Sequence, residues 1–160
     1  MFGNPILAMG DVTKHFSRWE FACKDGCGFD AVDRELTDNL EELAADFLKE
    51  NTRAKRVIIH INSGNRCRDY DHRLKIKLAI EKGLTYVKRD SRSQHINGIA
   101  ADFWMEFTYE EGVRSRISDD RIAEILEMRY PGKHGIGRYD NRTHYDVRKN
   151  PARWDNRTGK

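Results

Sequence analysis

The segment Arg92-Ser93-Gln94-His95-Ile96-Asn97-Gly98-Ile99-Ala100-Ala101-Asp102-Phe103-Trp104 sets one imidazole and one carboxylate seven positions apart, with a glycine between them. Gly98 permits a tight turn or bulge that a residue bearing a Cβ resists, and the apolar run after it predicts a buried strand. That strand carries Asp102 into the core. An unpaired buried carboxylate is costly, so a cation is its simplest partner, and a metal held jointly with His95 satisfies both groups.

Upstream, Arg56-Val57-Ile58-Ile59-His60-Ile61 is rich in β-branched residues and stops at Asn62-Ser63-Gly64, which predicts a second central strand leading into a turn followed by Arg66. Before it, Leu36, Leu40, Leu43, Ala44, Phe47 and Leu48 recur at helical spacing and predict an amphipathic helix from about Asp33 to Asn51. Further towards the amino terminus, Ser17 and Glu20 have capping-box spacing for a short helix, with Phe16 and Phe21 as core anchors. The Cys/Gly segment through Phe29 is expected to be a loop. Residues 1 to 11 are expected to form an extended arm outside a domain spanning 12 to 154.

Between the two strands, Leu74, Leu78 and Ala79 predict a helix from Asp69 to Lys82, ended by Gly83, with its many basic residues forming a solvated face. Leu84 to Val87 suits a short strand or a loop. Downstream, Ser118 is positioned to cap a helix running to Tyr130, with Ile122, Ile125, Leu126 and Met128 as its apolar positions. Gly135 to Tyr139 and Thr143 to Arg148, joined by Asp140-Asn141-Arg142, predict a hairpin. From Asn150 the composition is polar, and a partly disordered tail is expected, with 155 to 160 outside the domain.

A chain of 160 residues suits one domain able to bury roughly 70% of its unfolded surface. Charged residues make up 34% of it, and no apolar run approaches the ~20 residues of a membrane span. The 29 basic and 26 acidic residues nearly cancel, which argues against a nucleic-acid partner. The first residues lack the basic region and the apolar length of a secretory signal, so a route of export is not legible, and a monomer is expected. Cys23, Cys27 and Cys67 are an odd number. Cys23-Lys24-Asp25-Gly26-Cys27 is half of a zinc knuckle without a second Cys/His pair at finger spacing, so packed thiols or one disulfide are expected in place of a structural zinc.

Alternation along the last predicted strand puts His144 and Asp146 on one face. If that strand neighbours the one carrying Asp102, then His95, Asp102 and His144 converge as two imidazoles and one carboxylate, leaving a fourth position for water as catalytic zinc sites do. Trp104, Trp154 and His60 are expected to serve packing, and His15 and His72 the surface.

Ser93-Gln94-His95-Ile96-Asn97-Gly98-Ile99-Ala100-Ala101-Asp102 resembles the Ser-x-His-x-x-Gly-x-Ala-x-Asp signature of the zinc D-Ala-D-Ala carboxypeptidase family of metallopeptidases. The segments His15 to Cys23, Ser63-Gly64-Asn65-Arg66-Cys67, and Gly135 to Arg148 are similar to the carboxy-terminal peptidase domain subgroup of that family, so the resemblance spans about residues 12 to 154. It implies an α+β fold with a central antiparallel sheet and flanking helices, hedgehog/D-Ala-D-Ala peptidase-like. It further implies a zinc ion held by His95, Asp102 and His144, and hydrolysis of peptidoglycan stem peptides or cross-bridges. Arg66 resembles the family arginine that contacts substrate, with Ser93 and Gln94 as hydrogen-bonding companions; a surface salt bridge is its structural alternative. Some family members place a glutamate base three residues before the last histidine ligand, where this chain has Asn141. Asp146 is the first candidate to replace it as base, with an orienting role for the imidazole as its rival, and Asp140 and His134 stand in less constrained positions.

Overall fold

The computed structural model describes residues 10 to 160. All but the last two residues of the expected amino-terminal arm therefore lie outside the described residues. Among the described residues, three α-helices and an open, mixed six-stranded sheet give an α+β architecture.

The first helix, α1 (Arg34–Glu50), starts where the Asp33 carboxylate accepts the Leu36 N–H at 3.0 Å. Its apolar stripe buries Leu36, Leu40, Leu43 and Phe47, each worth roughly 1.5–3 kcal/mol of removed apolar surface. Ahead of it, a 3-10 turn at Arg18–Phe21 carries the expected capping box, with the Glu20 carboxylate accepting the Ser17 N–H at 2.7 Å. Phe16 and Phe21 meet edge to face in the core, as anticipated.

The sheet is built on β1 (Arg56–Ser63) and the nine-residue β2 (Ala100–Thr108), which run antiparallel. The second half of β2 pairs with the short β3 (Arg114–Arg116). Its first half pairs with β5 (Thr143–Asp146), the partner of β4 (Gly135–Arg138) in the expected hairpin. The path across the sheet is β1-β2-β5-β4-β6, where β6 is Ala152–Asp155, with β3 attached to β2.

Alternation sorts β2 into two faces. Ala101, Phe103 and Met105 join Ile136, Tyr145 and the buried side chains of α1 and α3 (Asp119–Arg129) in one core. Asp102, Trp104 and Glu106 face the other way. A helix, α2 (Arg68–Glu81), stands beside that second face, and Asp71 is its one buried residue.

Several expectations are corrected. The sheet is not wholly antiparallel, because β6 (Ala152–Asp155) runs parallel to β4. Those residues were expected to belong to a disordered tail. They are held by the Trp154 indole lying over Gly137 and by Arg153, whose guanidinium donates to the carbonyls of Tyr130, Lys133 and His134. Met128 is exposed rather than part of the α3 stripe, Leu78 likewise on α2, and Ser118 makes no side-chain capping bond. Leu84 to Val87 is a loop. All three cysteines are free thiols, so the disulfide alternative is excluded in this structure.

Candidate metal centre

Strand register assembles the centre. Ser63 of β1 pairs with Asp102 of β2, Asp102 with His144 of β5, His144 with Gly137 of β4, and Gly137 with Trp154 of β6, making one row across the sheet. His95 reaches this row from a one-turn 3-10 helix (Gln94–Asn97) whose end is Gly98 at φ 72°, ψ 19°. A left-handed residue is needed to turn the chain from that helix into β2, and glycine adopts it without a steric penalty.

One ligand atom each from His95, Asp102 and His144 lies within 4.8 Å of the others, and all three residues are buried. The carboxylate is the hub. Asp102 Oδ1 is 2.9 Å from His144 Nδ1, and Oδ2 is 3.4 Å from His95 Nε2. Two imidazoles and a carboxylate form a donor set suited to a divalent transition metal.

The outer hydrogen bonds fit that role. His95 Nδ1 lies 2.6 Å from the Gly64 carbonyl oxygen, so this nitrogen carries the proton and Nε2 keeps its lone pair directed at the centre. His144 Nε2 faces Asp146 Oδ2 at 2.7 Å, which leaves Nδ1 for the centre. Asp146 is fully buried and also accepts both arms of the Arg148 fork, at 2.7 and 2.6 Å. Its carboxylate lies against Gly135, where a Cβ would collide with it.

Protonation follows from these surroundings. Burial pulls the His95 pKa below its ordinary value, favouring the neutral, ligating form. Burial acts the same way on His144, yet hydrogen bonds and charge from Asp102 and Asp146 outweigh it and raise its pKa. For Asp102, burial opposes ionisation, but the two imidazoles overcome it and hold the carboxyl well below the usual carboxylate range. Asp146 is likewise lowered, with Arg148 and His144 overriding burial.

The centre opens on a cleft of about 790 Å³ between the sheet face and α2. Of the residues anticipated from sequence, Arg66, Ser93, Gln94, His95, Asp102 and His144 all border it. Arg66 is more than a surface ion pair: its fork donates to Asp102 Oδ2 at 2.8 Å and to Ser63 Oγ at 3.0 Å. Asp146 sits behind His144 and is not on the cleft wall, and neither are His134 and Asp140. His134 is bonded to Tyr145 and Glu35, while Asp140 accepts from Thr158. Asn141 is exposed, and its carbonyl accepts from Arg116.

Tyr139, Arg142 and Trp154 are among the wall residues that the sequence does not mark. Tyr139 lies under the Arg142 guanidinium at 4.0 Å and accepts the Trp154 indole N–H at 3.0 Å. Trp154, expected to serve packing alone, also meets the His144 ring at 4.8 Å and borders the cleft. The cleft is cationic: Lys24, Arg66, Lys77, Lys82, Arg92, Arg142 and Arg148 border it, against the two acids Asp102 and Glu81. Compared with protein-family models, curated proteins and solved structures, the chain matches none of them.

Proposed function

We propose that the chain is a zinc-dependent peptidase that hydrolyses peptide bonds in peptidoglycan stem peptides or cross-bridges. The observation that carries this reading is the convergence of His95, Asp102 and His144 at the floor of an open, cationic cleft. The choice of zinc and of wall peptides rests on the likeness of the Ser93 to Asp102 motif to the zinc D-Ala-D-Ala carboxypeptidases.

His95, Asp102 and His144 would hold a zinc ion, which would supply a Lewis acid and a bound water acidified to a pKa of ~7. The chain's own groups do the rest. Gly64 and Asp146 fix the two imidazoles in their ligating tautomers. Arg66 and Arg142, the guanidinium groups nearest Asp102, offer forks for a peptide carbonyl or a terminal carboxylate. Ser93 and Gln94 line the same cleft and supply hydrogen bonds to the peptide backbone. Trp154 and Tyr139 also line the cleft, with the Tyr139 ring against the Arg142 guanidinium. The cationic rim attracts peptides bearing free carboxylates, as wall stem peptides do.

A second reading, a zinc-containing wall-binding module without turnover, is favoured by one observation. Among the described residues, the carboxylates bordering the cleft are Asp102, one of the three converging groups, and Glu81, which stands on α2, 3.9 Å from Lys77. Zinc-loaded protein incubated with purified peptidoglycan, followed by mass spectrometry for released D-Ala or opened cross-links, separates the two. Product supports the peptidase; stoichiometric zinc with no product from walls of several chemotypes supports the binding module.

A further inference from the structure

Away from the cleft floor, the Cys23-Lys24-Asp25-Gly26-Cys27 loop folds against the start of α2. Ligand atoms of Cys23, Asp25, Cys27 and Cys67 all lie within 4.8 Å of one another. The loop doubles back through Gly26 and Gly28, at φ 77° and 86°, and is closed by the Cys23 N–H donating to the Phe29 carbonyl at 2.8 Å. Asp25 draws two thiols together, accepting from Cys67 Sγ at 2.9 Å and from Cys23 Sγ at 3.2 Å. Backbone N–H groups are aimed at the sulfurs: Cys67 donates to Cys23 Sγ at 3.3 Å, and Tyr70 to Cys67 Sγ at 3.4 Å. The Asp25 carboxylate that accepts from Cys67 raises the pKa of that thiol, and a cation bound among the sulfurs would take the place of its proton.

We propose that Cys23, Cys27, Cys67 and Asp25 hold a structural zinc ion, separate from the His95 centre. Three sulfurs and one carboxylate oxygen form a soft, four-coordinate donor set of the kind closed zinc sites use. Tetrahedral zinc with Zn–S bonds of ~2.3 Å needs donors roughly 3.8 Å apart, which side-chain rotation reaches from the observed spacing. Each thiol releases its proton to solvent as its Zn–S bond forms, and zinc remains divalent, so no oxidant or reductant enters. The resulting excess negative charge faces Arg73, whose guanidinium is 3.3 Å from Asp25. The half-knuckle at Cys23 is thus completed by one distant cysteine rather than by a second pair.

The site staples a loop to the turn that supports the other centre. Cys67 follows Arg66 directly, the Asn65 N–H donates to the Phe21 carbonyl at 2.8 Å, and Gly64 holds His95. This inference stands whether or not the protein is a peptidase. The test is cobalt substitution of the purified full chain, because only the cysteine site gives a sulfur-to-cobalt charge-transfer band. The band should appear in the wild type, persist in His95→Ala, and vanish in Cys67→Ser and in Cys27→Ser. Cys27 is exposed, so its serine variant is not expected to disturb folding. Zinc content measured by mass spectrometry should fall from about two ions per chain to about one in either serine variant. A cobalt spectrum without that band, zinc content unchanged in Cys27→Ser, or a disulfide between these cysteines in anaerobically purified protein would overturn the proposal.

Discussion

The Trp154 indole lies over Gly137, in the place where any Cβ on that residue would collide with it. Gly137 has no positive φ, so its backbone accepts other residues and the demand for glycine there is purely steric. The vacant side-chain position lets the indole reach His144 from two strands away. Gly137→Ala should therefore cost about 1–3 kcal/mol by overpacking. In a Trp154→Ala background the same change should cost far less, a coupling that denaturant midpoints of the double-mutant cycle measure.

Asp146 distinguishes two chemistries. Its contacts with His144 and Arg148 fit an orienting role, so Asp146→Asn should weaken zinc binding about 10–100-fold. A base would instead lose turnover with zinc affinity intact. Competition with a metallochromic chelator, read beside peptide cleavage, tells the two apart.

His95→Ala should abolish zinc binding at the centre while leaving the fold, because the removed side chain belongs to a one-turn helix outside the main core. Metal analysis and circular dichroism check this. Full zinc content at the remaining His144 and Asp102 would refute the ligand assignment.

Arg66→Lys keeps the charge but loses the fork that spans Ser63 and Asp102. On the peptidase reading, kcat/KM should fall by about 10–100-fold, in line with the ~1.5–3 kcal/mol of a charge-assisted hydrogen bond, with zinc content unchanged. Steady-state kinetics on a defined stem peptide measure it.

The pH dependence has a definite sign. In the metal-free protein the raised pKa of His144 contributes stability that is fully present below the ordinary histidine value and is lost as pH rises through the folded value. Asp102 and Asp146, both lowered, contribute stability present above the ordinary carboxylate range and lost as pH falls through their folded values. Zinc must displace the His144 proton, whereas His95 is already neutral. Zinc affinity should thus rise about tenfold per pH unit up to the folded pKa of His144 and flatten above it. Melting temperatures with zinc and with chelator, taken across that range, report the difference.

Much of the site was legible because its elements are local. The Gly98 turn, the alternation of β2 and the hairpin each follow from neighbouring residues, and together they brought His95, Asp102 and His144 to one place. What escaped depends on distant partners. Ala152-Arg153-Trp154-Asp155 has no strand signature of its own and becomes β6 only because Gly137 leaves room for an indole. Arg114-Ser115-Arg116 is exposed throughout and pairs only with the half of β2 that β5 leaves free. On α2, Leu78 imitates a core position by its spacing from Leu74 although it is exposed. Cys67 is separated from Cys27 by a strand and a turn, so no spacing rule connects them.

The pairing of Asp102 with His144 has a consequence for quality control of folding. A slip of β5 by one residue against β2 would turn His144 into the core and bring Tyr145 out to the cleft, since neighbouring strand residues face opposite ways. A chain so mispaired cannot assemble the two-imidazole centre. Were a metal bound at His95, Asp102 and His144, its binding energy would be withheld from a chain slipped by one residue in this pairing.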